Sequence, residues 1–506
     1  MELSVSTETM RRRDKYTCDN LIPSRELMKR AGLAVFERIK DLEGSFALLC
    51  GRGNNAGDGY VIAHELHKSG RKCKLFIESD RFSRDGEYYF SLCRDAGVPY
   101  EFWSDTSDIS GFDNALDCIY GIGFHGELSG NALEMVRALN QSSAYVISVD
   151  INSGLDGDSG LAGLCVISDL TLAVGYYKHG HFLGDAKDVI GSKDVLDIGI
   201  PLFDTDSAAR VVSDGDLAPI LRKRAHNSHK GDYGYVTLMG GCTMYSGALK
   251  LANLALCALK CGCGVSRLAC PRSLASSVSP YMLESTLYPL PDRDGHLLFD
   301  PDSLDFILKN SRALALGMGW GRGADNSRIL EYVLKKGEIN LLIDADGLNT
   351  LAELDEALLR DTRCSVILTP HPKEFSRLCK RSVDEILDDP VLHACEYAQR
   401  TGVTLLLKGC ATVVTDGYRV YISDRGCPGM ASAGSGDLLS GALTGLLGYN
   451  DASPLTAVCA SYLCGLAGEL ASKESCDICT TASDSARLLS QAVTTVYNIC
   501  RNRVGG

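Results

Sequence analysis

The sequence predicts an α/β protein with two parallel-sheet domains, on three observations. Short apolar runs alternate with stretches of helical periodicity along most of the 506 residues. Several of those runs end in loops of glycine and small polar residues that lead into the next helix, the pattern of a doubly wound sheet with ligand groups at its strand ends. A weakly patterned polar stretch, Leu202 to Asp216, separates a part over residues 10–208 from a part over residues 211–501.

Composition narrows the function classes. The formal net charge is −13, which disfavours nucleic acid and anionic membrane surfaces, since both reward basic patches. No apolar run reaches the roughly 20 residues of a membrane span. Met10-Arg11-Arg12-Arg13 is followed by no apolar stretch, so no signal peptide is read and a cytoplasmic location is expected. The 21 cysteines are scattered, often within apolar segments such as Leu48-Leu49-Cys50 and Leu256-Cys257, and read as reduced, buried thiols. Cys476-Asp477-Ile478-Cys479 has CxxC spacing but lacks the second pair of a zinc ribbon.

In the first part, residues 20–40 predict a helix capped at Ser24, with Leu27, Met28, Ala31, Val35 and Ile39 on one face. The apolar strand Phe46–Cys50 then enters Gly51-Arg52-Gly53-Asn54-Asn55-Ala56-Gly57-Asp58-Gly59, with a helix expected from about Gly57. Strand, glycine loop and helix form a phosphate-cradling arrangement that is neither a Walker A loop nor GxGxxG. Further strands are expected at Cys73–Ile77, Ala115–Tyr120 and Tyr145–Asp150, with helices near Gly86–Ala96 and Ala132–Asn140. This is a Rossmann-like doubly wound α/β domain. Asp117, Asp150 and Asn55 sit at strand ends, where they could converge on one ligand or on a hard cation, which prefers oxygen donors.

GxGNNxGDG, the Asp117 strand with Gly121-Ile122-Gly123-Phe124-His125-Gly126-Glu127, and VDxxSGLDxDSG over Val149 to Gly160 resemble the NAD(P)H-hydrate epimerases. So does Gly175-Tyr176-Tyr177-Lys178-His179-Gly180, and the match runs over about residues 10–205. The resemblance implies interconversion of the R and S hydrates of NADH and NADPH at C6 of the reduced nicotinamide ring. It implies that Asn54, Asn55, Ala56, Gly57 and Asp58, with Gly121 to Glu127, hold the substrate. Asn55, Asp117 and Ser153 would ligate a potassium ion, and Asp150 would act at the reacting carbon. Asn152 stands where the family usually has proline, Leu21 where it has glycine and Lys29 where it often has an acid; of these, Asn152 is the one placed to alter the potassium loop.

In the second part, Arg224 to Gly234 leads to a strand at Tyr235–Met239 and a loop, Gly240 to Gly247. The next helix is expected to bury Ala248, Leu251, Ala252, Ala255 and Leu259. Strands follow at Ala313–Gly317, Leu341–Asp344, Ser365–Thr369 and Val403–Lys408, each ending in a polar or glycine-rich turn. Gly434-Ser435-Gly436-Asp437 then feeds a helix running to Leu447, whose N-terminus attracts anions and whose Asp437 is placed as a base. Bland alternatives stay open for single residues: Asp344 and Asp346 could cap the following helix, and His371 between two prolines could be purely structural.

Together HKGDYG, MYSGA, DADGLN, HPKEF, KGxxT and GMASxGSGD, across about residues 215–500, resemble the ribokinase-like superfamily and within it the NAD(P)H-hydrate dehydratases. The resemblance implies that Lys408, Gly409, Cys410, Ala411, Thr412 and Gly436 hold the adenine nucleotide. Ala248, Gly319, His371 and Asp437 would contact the S hydrate, and Met318 replaces a usual proline. The fusion resembles the prokaryotic bifunctional enzymes, which implies ADP as co-substrate, with ATP as the other candidate and magnesium alongside. Small-molecule substrates, no nucleic acid, no membrane and a homo-oligomer are the expected partners. Two other classes remain at this stage: a ribokinase-like small-molecule kinase with an accessory domain, and a nucleotide sensor without turnover.

Overall fold

A computed structural model describes residues 1–203, 206, 208–254 and 260–504, the last three by backbone alone. The chain forms two compact units, Leu3–Ala209 and Arg210–Gly506 with Met1–Glu2.

The first unit is built on seven parallel strands. In spatial order they are Tyr100–Phe102, Cys73–Ile77, Phe46–Cys50, Asn114–Cys118, Tyr145–Val149, Ser168–Val174 and Ile190–Leu196. The first, second and third strands of the sequence run outward in one direction and the fourth to seventh in the other. The order therefore reverses between Phe46–Cys50 and Asn114–Cys118, the place where doubly wound sheets bind their ligands. The two strands that flank this point are short and buried on both faces, as central parallel strands covered by helices must be.

Helix Asn54–Lys68 lies against this sheet closely because Gly59 faces it. A Cβ at Gly59 would stand 2.9 Å from Cys118 Cβ and from Cys50 Sγ. The helix starts at Asn54, three residues before the expected Gly57, so the asparagines form its first turn rather than a loop. The helix expected over residues 20–40 forms as Ser24–Ile39 with Leu27, Met28, Ala31, Val35 and Ile39 buried, but its expected cap is corrected and a further helix precedes it. Two helices, Thr7–Asn20 and Ser24–Ile39, meet at a turn, and Ser24 donates to Asp85 (2.6 Å) instead of capping. The first of them begins at the cap Ser6, whose side chain accepts from the Thr9 amide.

The second unit repeats the strand order with a different edge. Its strands run Thr286–Leu290, Val265–Pro271, Tyr235–Met239, Ala313–Leu316, Asn340–Ile343, Ser365–Leu368 and Thr404–Leu407, all parallel. Thr412–Thr415 and Val420–Ser423 follow, antiparallel. Helices Ser435–Leu447, Pro454–Glu474 and Ala482–Val504 pack over it through Leu443, Leu446, Leu463 and Leu489. Pro454–Glu474 has the length and composition of a membrane span, contrary to the expectation of no such run, but it is a core helix with 67% of its apolar window buried. Of the residues expected to be buried in the helix after Tyr245, Ala252 is buried, while Ala248 and Leu251 are only half-buried, Leu251 packing on Gly434; Leu249, which was not expected, is buried, and Ala255 and Leu259 lie outside the described residues.

Candidate functional site

The first site opens at the switch point of the first unit, in a cavity of about 610 Å³ lined by Asn54, Asn55, Asp58, Gly121 to Phe124, Asp150 and Lys178. Ala56 and Gly57 turn away from it: Ala56 is buried in the core, and a Cβ at Gly57 would meet Met28 Sδ at 2.4 Å. His125, Gly126 and Glu127 lie outside the cavity wall, where His125 Nε2 instead receives Arg11 at 2.8 Å.

Asp150 ends the strand Tyr145–Val149 with a backbone φ of 71°, in the left-handed region. Its amide donates to Leu172 O (2.8 Å) and its carbonyl receives His181 Nε2 (2.9 Å). The Lys178 amide donates to His181 Nδ1 (2.9 Å), so the ring proton sits on Nε2; burial, and then Lys178, push this imidazole down to about 4, which keeps it neutral. The Asp150 carboxylate receives the Lys178 ammonium and the Ile122 amide (3.2 Å). Gly121 is held bare here, because a Cβ would sit 2.8 Å from Asp150 Oδ2. Lys178 is 1% exposed and also donates to Val174 O (3.0 Å). In the sequence this lysine lies within the Gly175–Gly180 motif, which by itself assigns it no task.

Behind the cavity, Asp117 is fully buried and accepts from Ser153 Oγ (2.6 Å), the Ser153 amide (2.8 Å) and Ser148 Oγ (2.9 Å). Burial raises its carboxyl above the ordinary range despite those bonds. Asn55 donates to Tyr120 O (2.9 Å) and Val149 O (3.2 Å), while its Oδ1 is buried with no donor. An orphaned amide oxygen beside a buried carboxylate and a serine suits a weakly charged hard cation. Asn152 braces the loop before Ser153 through its side chain. Its amide donates to Val166 O (2.8 Å) and Ser168 Oγ (3.0 Å) and accepts from Thr171 Oγ1 (2.5 Å), bonds that a proline could not make.

The second site gathers where four successive parallel strands end. Lys408 follows Thr404–Leu407 and donates to Asp344 Oδ1 (3.0 Å), with Glu374 at 3.8 Å. Asp344 follows Asn340–Ile343 and also receives Ser440 Oγ (2.7 Å), so it caps nothing. Burial pulls the Lys408 ammonium down, but Asp344, Glu374 and Asp437 outweigh it and the net direction is up. Gly436 lies against this pair: a Cβ there would stand 3.5 Å from Lys408 Nζ and 3.9 Å from Asp344 Oδ2.

Asp437 sits in the first turn of Ser435–Leu447, behind Gly434 at φ 99°. Burial first, then Asp344 and Asp346, push its carboxyl up to about 7, with Lys408 opposing. It therefore exchanges a proton near neutrality. His371 caps helix Pro372–Cys379, its Nδ1 accepting from the Lys373 (3.2 Å) and Glu374 (3.3 Å) amides. Its Nε2 is left toward Glu374 Oε1 (3.4 Å). Asp346 opens helix Asp346–Leu351 and accepts from the Gly321 amide (2.8 Å), tying that helix to the glycine turn. Gly319, at φ 63°, approaches Ala248 closely, a Cβ there meeting Ala248 Cβ at 3.0 Å. Gly409 and Cys410 are exposed, while Ala411 and Thr412 are buried as the strand Thr412–Thr415 begins. Asp344, Glu374 and Ser440 are the members that the sequence reading left without a role at the site.

Two doubly wound units, each with an aspartate and a lysine gathered at the carboxyl edge of its sheet, define a two-site α/β enzyme. Residues 24–180 match the family described as YjeF-related protein N-terminus, and residues 236–491 match NAD(P)H-hydrate dehydratase. The chain is 33% identical over 478 residues to the bifunctional NAD(P)H-hydrate repair enzyme of Moorella thermoacetica, covering 90% of this chain and 89% of that one. It is 33% identical over 465 residues to the enzyme of that name from Thermofilum pendens, covering 88% of each. Among solved structures, a hypothetical protein from Streptococcus mutans aligns with a TM-score of 0.50 at 21% identity, over 57% of this chain and 99% of its own, a likeness of fold alone. The chain belongs to the family of bifunctional NAD(P)H-hydrate repair enzymes.

Proposed function

We propose that this chain repairs hydrated NADH and NADPH in two steps. The first unit, over residues 10–208, interconverts the R and S hydrates; the second, over residues 211–501, dehydrates the S form at the expense of ADP. The observation that carries this is the coincidence of whole-length family membership with an aspartate poised at each site, Asp150 and Asp437.

At the first site, Asn54, Asn55, Asp58 and Gly121 to Phe124 hold the substrate, and Asp150 acts at C6. Asn55, Asp117 and Ser153 would hold potassium, whose charge would offset the buried Asp117 and fix the loop behind Asp150. At the second site, Lys408 to Thr412 and Gly436 hold the nucleotide, and Ala248, Gly319 and His371 hold the hydrate near Asp437. Asp437 takes the proton of the C6 hydroxyl as that oxygen attacks the terminal phosphorus of ADP, and the bridging P–O bond breaks with its electron pair leaving on AMP. The phosphate then leaves C6 with the bonding pair, helped by the ring nitrogen, and loss of a C5 proton restores the double bond. The amides around Gly434 to Gly436 favour the negative charge that gathers on the phosphate. Magnesium comes with the nucleotide as its counter-ion.

The test is direct. Purified protein is incubated with a mixture of R and S hydrated NADH, with and without ADP, and the absorbance of reduced nicotinamide is followed. Full recovery is expected with ADP. No recovery overturns the reading, and recovery of the S fraction alone, with the R fraction following only at the uncatalysed rate, overturns its first half.

A further inference from the structure

The cavity of the first unit holds a carboxyl group that no motif reaches. Asp14, Asp58, Asp85 and Asp150 line it, against Arg11 and Lys178. Four of these six are occupied with protein partners: Asp85 receives Ser24, Asp150 and Lys178 hold each other, and Arg11 reaches His125. Lys178 is spent on Asp150. That leaves Asp58, in the glycine-asparagine motif, and Asp14, on helix Thr7–Asn20, each with neighbours acting only through charge and burial. Asp14 lies ahead of residues 24–180, where the family match begins.

We propose that Asp14 is a second catalytic acid–base group of this site, the counterpart of Asp150. This rests on the epimerase reading above. Inversion at C6 needs a proton supplied on one face of the ring and removed on the other. The Asp14 carboxylic acid gives its proton to the C6 hydroxyl, and the C6–O bond breaks with its electron pair leaving on water. The N1 lone pair forms a C6–N1 double bond meanwhile. Water then adds to C6 from the opposite face, N1 regains its pair, and the Asp150 carboxylate takes the proton released. One C–O bond breaks, one forms, and nothing is oxidised. The reverse conversion exchanges the two roles, and solvent resets the proton.

Burial pushes the Asp14 carboxyl up to about 6, with Lys178 pulling it down and Asp150 raising it. The charged and titratable groups facing it are Asp58 on helix Asn54–Lys68, Asp150, Lys178, and Cys18 one turn along its own helix. A group of that kind gains and loses its proton close to neutral pH, where acid–base catalysis is most effective.

The experiment uses the full-length protein without ADP and follows R and S hydrated NADH by chromatography, after subtracting the uncatalysed rate. Asp14→Asn should lower kcat by roughly 10²–10⁴-fold with KM little changed, and Asp14→Glu should recover part of the loss. In the parent, kcat/KM should fall as pH rises through about 6. The Asn variant should lack that limb. An unchanged denaturant transition of the first unit, in the same samples, reports that the variant is folded. An Asn variant at the parent rate overturns the proposal. So does a variant that loses rate but keeps the pH limb, since Asp14 would then only position the helix. A parent that fails to interconvert the hydrates overturns the functional reading itself, and with it this one.

Discussion

The two units share a strand order and use it differently. In the first, the Asn54–Asp58 turn and the Gly121–Phe124 loop meet at the point where the order reverses, and Asp150 ends the next strand along. In the second, the reversal lies between Tyr235–Met239 and Ala313–Leu316, while Asp344, His371 and Lys408 follow the next strands along. The aspartates differ as well. Asp150 is fixed through its backbone and both carboxylate oxygens. Asp437 is half-buried at a helix start, shaped by burial and by the charges of Asp344, Lys408 and Asp346. The contrast teaches that one rule, ligands at strand carboxyl ends, accommodates a site assembled by hydrogen bonds and another tuned by charge.

The sharpest way to break the comparison is Asp437→Asn. The amide keeps the shape at the helix start but loses the basicity, so dehydration should drop by about 10²–10⁴-fold while epimerisation keeps the parent rate. In the parent, dehydratase kcat/KM should fall as pH drops through about 7, because the base must be ionised. Dehydration within a few-fold of the parent would reduce Asp437 to a structural residue. Next comes Lys178→Met, which removes the ammonium and leaves Asp150 buried without its partner. Such a loss costs about 3–5 kcal/mol, read as an earlier denaturant transition of the first unit; a shift below 1 kcal/mol would contradict the buried pair.

Lys408→Ala should be smaller. A charge-assisted bond contributes about 1.5–3 kcal/mol, so ADP affinity by calorimetric titration should weaken by roughly ten- to a hundredfold, with epimerisation untouched. Unchanged affinity would make Lys408 a partner of Asp344 and nothing more. Smallest is the stability effect of Asp437. Its folded carboxyl is raised from 3.8 to about 7, so the native state binds more protons in that window and stability declines as pH rises through it. Asp437→Asn should therefore melt later than the parent at pH 8, and the two should converge near pH 4.

Much of this was legible in the sequence because buried parallel strands are short apolar runs. Tyr235–Met239 and Phe46–Cys50 were read to the residue. Helix Thr7–Asn20 was not, since Arg11 to Lys15 and Asp19-Asn20 leave Met10 as its main apolar anchor, and periodicity has little to work on. Asp14 went unseen with it. Ser24 was expected to cap and instead holds Asp85, a partner 61 residues away that no local signal reveals. His371 answered an open question in part, since its Nδ1 is spent on the helix it precedes. Thr412–Thr415 was hidden because its first residue belongs to the turn motif that drew attention.

The left-handed backbone at Asp150 reaches further than local geometry. A side chain there costs about 1–2 kcal/mol that glycine would not, and the residue is kept where its carboxylate meets Lys178. Glycine at 150 would relieve that strain but leave the buried Lys178 ammonium without its partner, a loss of about 3–5 kcal/mol that exceeds the gain. A library sorted on heat tolerance alone should therefore keep an acid at 150, and should give it up only together with the lysine.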